Sequence, residues 1–381
     1  MPCLPMARSP SGTISYRIGA ETMHIPDGYL SPSTCAVFYA GAGVGWYGAL
    51  RRLRATFSTR AVSLVSVFAA FSFVVMMFNL PLPGGTTGHA LGVTIAVIVL
   101  GPSGSILALS LALAIQALFF GDGGVTTLGA NCFNMAIVAS AVAYATYRTI
   151  AGSAGLRSRR RVVAAAIAGY LAVNAAALIA AIEFGIQPIL FHNDGGVPLY
   201  APYSLRIAVP AMMVGHLAVA GVAEAVLTAG LVAYLQVADP ALLERTSGLT
   251  AGAYRSVVLT GQRSLRKLWL TVALLLLVTP LGILAAGTAW GEWSAKEFSS
   301  AEGRTRIAAS ARSQVPSSAP PAGLQRLSTL WTAPIPAYAP KFIKSPSLGY
   351  FLSAMFGVGL VMIFSLAARS WLRRRSSGQA G

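Results

Sequence analysis

Long apolar runs alternate with short polar stretches over most of the chain, and nine of these runs approach the ~20 mostly apolar residues that a bilayer crossing needs. They fall at about 33–50, 61–80, 89–101, 103–120, 125–147, 162–186, 207–236, 268–290 and 348–368. The third run is short. Between it and the fourth, Gly101-Pro102-Ser103-Gly104 reads as a turn between two helices or as a kink within one, because proline breaks the helical hydrogen-bond ladder.

The charges between the runs choose between these readings. Basic clusters follow the first run (Arg51, Arg52, Arg54, Arg60), the fifth (Arg148, Arg157, Arg159, Arg160, Arg161), the seventh (Arg245, Arg255, Arg263, Arg266, Lys267) and the ninth (Arg369, Arg373, Arg374, Arg375). All four lie on one side of a membrane only if 89–101 and 103–120 are separate passes. The positive-inside rule makes that side cytoplasmic, with the N-terminus extracytoplasmic and the C-terminus cytoplasmic. Loops 81–88, 121–124 and 187–206, on the other side, carry only Asp122, Asp194 and Arg206 as charged groups.

The predicted fold is therefore an all-α integral membrane protein, a polytopic helical bundle of about nine transmembrane helices in the cell inner membrane. Residues 23–236 form a seven-helix module, 237–267 a cytoplasmic linker, and 268–381 a two-helix module whose Ser-, Ala- and Pro-rich stretch 291–347 is an extracytoplasmic loop. Long translocated segments tolerate the basic residues found there.

Composition agrees with this picture. Of 381 residues, 55% are hydrophobic and 10% charged, against roughly 25% charged in an average soluble domain. The net charge of +17 comes from clusters at the ends of apolar runs, where topology accounts for it, so nucleic-acid binding is excluded. Cys3, Cys35 and Cys132 are odd in number and widely spaced, which suggests neither a disulfide framework nor a thiolate metal cluster. Residues 1–22 hold three prolines and no apolar stretch of signal-peptide length, and they are expected to be absent from the mature protein.

Among so few polar groups, Met23-His24-Ile25-Pro26-Asp27-Gly28-Tyr29-Leu30-Ser31-Pro32 carries the sharpest chemistry. If the chain starts at Met23, its amine, the amide nitrogen of His24 and the His24 imidazole can close fused chelate rings around one metal ion. One more imidazole completes a square-planar set of the kind Ni(II) or Cu(II) prefers. His89, at the external mouth of the third run behind Pro83-Gly84-Gly85-Thr86-Thr87-Gly88, is the best donor for that place, since glycines let backbones approach closely and neutral imidazole is a common ligand.

These segments carry a resemblance. MHIPDGYLSP, GGTTGHALG, LFFGDGGVTTLGANCFNMA and TPLGILAAGTAWGEW resemble the cobalt/nickel energy-coupling-factor transporter S-component family (CbiM/NikM), over nearly all of 23–290. The resemblance implies a mature chain beginning at Met23 and a metal site built from Met23, His24 and His89, with Co2+ or Ni2+ bound as the transported substrate and no resident cofactor. It also implies partners: two ATPase subunits and a transmembrane coupling subunit. The layout of 268–381 resembles the small accessory subunit of that family (CbiN/NikN type), fused at the C-terminus.

The remaining polar positions are candidates for support or coupling. Asp27 and Asp122 lie in the external loops, and Asp122 either attracts cations or serves as a turn residue. Asn131 and Asn134 either orient the metal-binding loops by hydrogen bonds or join helices. His216 and Glu224 lie about 80° apart around one helix and either pair with each other or couple to partner subunits. A GxxxxGK[ST] phosphate loop does not occur, so energy has to come from a partner ATPase. Neither an HExxH cluster nor the HxxxxDH pattern of nickel permeases is found. The reading is a transporter subunit and not an enzyme, with a stand-alone secondary metal permease as the alternative.

Overall fold

The structure, a computed structural model, describes residues 24–54, 59–246, 261–285 and 289–377. Residues 1–22, Met23 and 247–260 of the predicted linker lie outside the described residues. The apolar runs become eight principal helices: α1 (Pro32–Arg54), α2 (Thr59–Met76), α3 (Val93–Phe120), α4 (Leu128–Ala151), α5 (Arg159–Leu190), α6 (Leu205–Ala238), α7 (Leu265–Leu284) and α8 (Pro346–Ser377). Between α2 and α3 lies one short antiparallel hairpin, β1 (Leu80–Leu82) and β2 (Thr86–Gly88), in register Leu80↔Gly88 and Leu82↔Thr86. Among the described residues, six helices, α3 to α8, are long and apolar enough to cross a membrane. The protein is an all-α, multi-pass membrane protein.

Helix α3 is doubled back on itself. Gly101 has φ 75° and ψ 169°, a left-handed φ that favours glycine, and Pro102 follows at the first turn of the second arm, where its missing N–H costs nothing. The Ser105 hydroxyl donates to the Val93 carbonyl at 3.4 Å, whereas twelve residues of straight helix would hold them about 18 Å apart. Of the two readings of Gly101-Pro102, the turn is the one found. The first arm, 93–100, is buried throughout.

The turn at Gly101 shares one end of the bundle with Arg148 and Arg245. Thr246 Oγ1 donates to the Ile98 carbonyl at 2.7 Å, and Arg148 Nη1 donates to the Thr246 carbonyl at 3.0 Å. Gln236 Nε2 donates to the carbonyls of Leu156 and Ser158. Arg161, which the sequence offers only as a topological charge, is fully buried. Its guanidinium donates to the Ala154 carbonyl at 2.6 and 3.0 Å and to the Tyr147 hydroxyl at 3.1 Å, closing the α4–α5 turn.

Two predicted spans are corrected. The helix of 89–101 begins only at Val93, leaving His89 in a loop. The run 268–290 is helical only to Leu284, because Thr279-Pro280 opens a 3₁₀ turn, and Ala289 instead forms a parallel bridge with Thr87. The predicted loop 291–347 is a folded cap containing helices Ala295–Ser299, Ala301–Ser310 and Ala322–Leu327. Helix α8 packs on α2, with Gly357 against the Phe73 ring and Tyr350 OH donating to the Met77 carbonyl at 2.6 Å.

Candidate metal centre

At the end of the bundle opposite the Gly101 turn, segment 24–31 folds back onto the loop 121–127. Asn131 grips Ile25 from both sides, accepting from its amide at 2.9 Å and donating to its carbonyl at 3.1 Å. That carbonyl also accepts from Gly124 N at 2.9 Å and from the Thr127 hydroxyl. Asp27 accepts from the amides of Val125 (3.1 Å) and Thr126 (2.7 Å) and from the Thr126 hydroxyl, so it pins a loop. Gln187 accepts from Ser31 N at 3.0 Å. Gly123, at φ 81°, lies so close that a Cβ there would stand 2.8 Å from His24 Cβ; the close approach demands glycine.

The β hairpin delivers His89 to the same place. Beyond it, the carboxylate of Glu224 accepts from the amides of Leu91 (2.8 Å), Gly92 (2.9 Å) and Thr94 (3.5 Å). A carboxylate from α6 thus caps the first arm of α3, where unpaired N–H groups and the helix dipole favour negative charge. Glu224 makes this cap rather than pairing with His216, whose Nδ1 donates to the Met212 carbonyl at 2.7 Å.

His24 and His89 meet with ring centres 5.3 Å apart, and both are buried. The Nδ1 of His89 lies 3.0 Å from the Ala90 carbonyl. A carbonyl only accepts, so Nδ1 carries the proton and the Nε2 lone pair remains; Nε2 is buried without a hydrogen-bond partner. Burial, reinforced by the neighbouring His24, pushes the His89 pKa down to about 3, so the ring is a neutral imidazole in the form that binds metals. Among the described residues no cluster of three or more His, Cys, Asp and Glu side chains is arranged to hold a metal by itself; a site here would need backbone nitrogens as well.

Asp122 is not the simple turn residue. One oxygen is hydrogen-bonded to His24 Nδ1; the other accepts from the Tyr338 hydroxyl and from Gln116 Nε2 at 3.3 Å. Burial, with Asp122 alongside, pushes the Tyr338 phenol well above its usual range, keeping it an O–H donor. Neither Gln116 nor Tyr338 stands out in the sequence: one lies inside an apolar run and the other in a Ser-, Ala- and Pro-rich stretch. A cavity of about 290 Å³ reaches His24 and Asp122, and its wall includes Trp293, Leu324 and Trp331 of the cap.

Not every predicted site residue joins this cluster. Met23 lies outside the described residues. His216 is held on α6, and Asn134 makes no hydrogen bond with either side-chain atom; it does not orient the loops as Asn131 does.

The family described as cobalt uptake substrate-specific transmembrane region (CbiM) matches residues 24–242, and the PDGLE domain matches 265–374. The fused nickel transport protein NikMN of Rhodobacter capsulatus is 51% identical over 340 residues, covering 89% of this chain and 95% of the relative. The probable fused nickel transport protein LarMN of Lactiplantibacillus plantarum is 40% identical, covering 72% and 79% respectively. A crystal structure of a truncated transition metal transporter, 50% identical, superimposes with a TM-score of 0.53 over 56% of this chain and 98% of its own. The chain belongs to the CbiM family of substrate-specific membrane transport proteins, with a CbiN-like PDGLE domain fused behind it.

Proposed function

We propose that this protein captures Ni2+ or Co2+ at the outer face of the cell inner membrane and passes it to an assembly of two ATPase subunits and a transmembrane coupling subunit for ATP-driven import. The observation that carries this reading is the buried pair His24 and His89, ring centres 5.3 Å apart beside a cavity, in a chain 51% identical to a protein named for nickel transport. On this reading the chain crosses the membrane nine times, with 93–100 as one short pass. The position of Arg148 and Arg245 at the Gly101 turn supports a cytoplasmic placement of that end.

In this mechanism, the cation enters along the cavity toward Asp122, which holds His24 Nδ1 until the metal takes its place. The Asp122 carboxylate keeps its bonds to Tyr338 and Gln116, so its charge stays satisfied beside the cation. With the mature chain beginning at Met23, the amine, the amide nitrogen of His24 and Nδ1 chelate the ion; only Nδ1 closes the ring that includes the imidazole, since Nε2 points away. The amide proton and the proton that His24 Nδ1 shares with Asp122 both leave to water, and His89 Nε2 completes the set. Four nitrogens in a plane suit Ni(II), and the family description makes Co2+ equally admissible.

The test is intact mass and N-terminal sequencing of the purified chain, with nickel and cobalt titrations of wild type and His89→Ala. A chain starting at Met23 that binds about one ion, with affinity lowered at least about 100-fold in the variant, supports the site. Unchanged affinity in His89→Ala refutes it. Uptake in cells lacking the partner ATPases would favour the stand-alone permease instead.

A further inference from the structure

Beneath the outer site lies a second cluster of polar groups, deep in the bundle, that the capture reading does not use. A small cavity of about 20 Å³ is bordered by Asn134, Met135, Met212 and His216, against the alanine-rich face of α5. That volume holds about one water or one ion. His216 is 1% exposed; with its Nδ1 proton committed to the Met212 carbonyl, its Nε2 lone pair is left buried and without a partner. Both side-chain atoms of Asn134, 2% exposed, are also unpartnered.

Glu183 adds charge. It lies three residues beyond Ala180, which borders the cavity, and so on the same face of α5. It is 1% exposed, and neither carboxylate oxygen makes a hydrogen bond. Asn134 is the polar side chain facing it, short of hydrogen-bond geometry. Buried polar groups are normally satisfied, and here His216 Nε2 and the Asn134 carboxamide both border the cavity without a hydrogen bond of standard geometry, with Glu183 one turn further along α5. His216 and Asn134 also stand in π-helical turns, His216–Ala220 and Cys132–Val138, irregularities that recur at functional sites.

We propose that this cavity is an inner binding position for the transported cation, occupied after the cation leaves the outer site; the proposal rests on the capture reading above. His216 Nε2 and the Asn134 carbonyl supply nitrogen and oxygen, Met135 and Met212 supply thioethers, and Glu183 supplies the compensating negative charge. The wall between the two positions is thin. Leu91 and Asn131 border the cavity, while Asn131 holds Ile25 and Leu91 lies two residues beyond His89. Neutral and thioether donors hold late first-row cations more weakly than an amine–amide chelate, which suits a position the ion must leave.

The experiment is a Co2+ titration of the full chain in lipid nanodiscs, followed by absorption, with melting curves to confirm folding. Wild type is expected to bind two equivalents, the weaker one bringing a near-ultraviolet thioether-to-cobalt band. Met212→Leu, which conserves volume, and His216→Gln should each weaken the second equivalent at least about tenfold and keep the first. His89→Ala should do the reverse. A single equivalent in wild type, or a second equivalent and band unchanged in both inner variants, overturns the inner position. Two equivalents surviving in His89→Ala, with the weaker one still lost in Met212→Leu, would refute the outer assignment and leave the inner one standing.

Discussion

The two ends of the bundle differ in what carboxylate and carboxamide oxygens do for their loops. At the Gly101 end, side chains donate to backbone carbonyls: Arg161 to Ala154, Arg148 to Thr246, Gln236 to Leu156 and Ser158. At the other end, side chains accept from backbone amides: Asp27 from Val125 and Thr126, Asn131 from Ile25, Gln187 from Ser31, Glu224 from Leu91 and Gly92. The difference bears on how the proposed cation site would stay available. Loop fixing at the end opposite Gly101 is delegated to carboxylates and carboxamides, so His89 spends one nitrogen on its own neighbour's carbonyl and keeps the other without a hydrogen bond.

Substitutions at each end should separate the two roles. The largest effect is expected from Glu224→Ala, which leaves three amides without their shared acceptor. Unsatisfied buried donors cost about 1–3 kcal/mol each, and the displaced loop should lower nickel affinity about 10–100-fold, measured by titration. Arg161→Ala comes next. It should cost about 3 kcal/mol in a denaturation assay while changing cation affinity by less than about twofold in the folded fraction, because its contacts lie at the opposite end. A large affinity loss in Arg161→Ala would break the comparison.

Tyr338→Phe should have the smallest effect. It removes one of the donors to Asp122 and leaves Gln116, so about 1 kcal/mol of stability is expected to go. Cation affinity should shift by no more than about fivefold. A loss as large as that of His89→Ala would make the cap part of the cation site itself.

The sequence made the broad layout readable because helices and charges in a membrane protein obey few rules. The parity of the arginine clusters pointed to the turn at Gly101-Pro102 before any geometry, and His24 and His89, two of only four histidines, were expected to meet. What stayed hidden depended on neighbours distant in sequence. Tyr338 reaches Asp122 across 216 residues, and nothing in its local sequence marks it. Arg161 looked like one charge in a cluster, because its burial follows from the turn it closes. Glu183 meets the same criterion as Glu224, an acid inside an apolar run. The span ending at 290 was overextended because hydropathy continues past Thr279-Pro280 while the helix does not.

The doubled-back form of α3 bears on how the chain enters a bilayer. An arm of eight residues, about 12 Å of helix, is too short to partition into lipid alone. Its own apolar surface is covered by neighbouring helices throughout 93–100, so it gains little from facing hydrocarbon. The two arms are therefore expected to leave the insertion machinery as one hairpin, with the longer arm carrying the shorter and the Ser105–Val93 bond closing at that moment. Lengthening the Gly101-Pro102 turn would then act on biogenesis, lowering the yield of inserted protein before any cation is encountered.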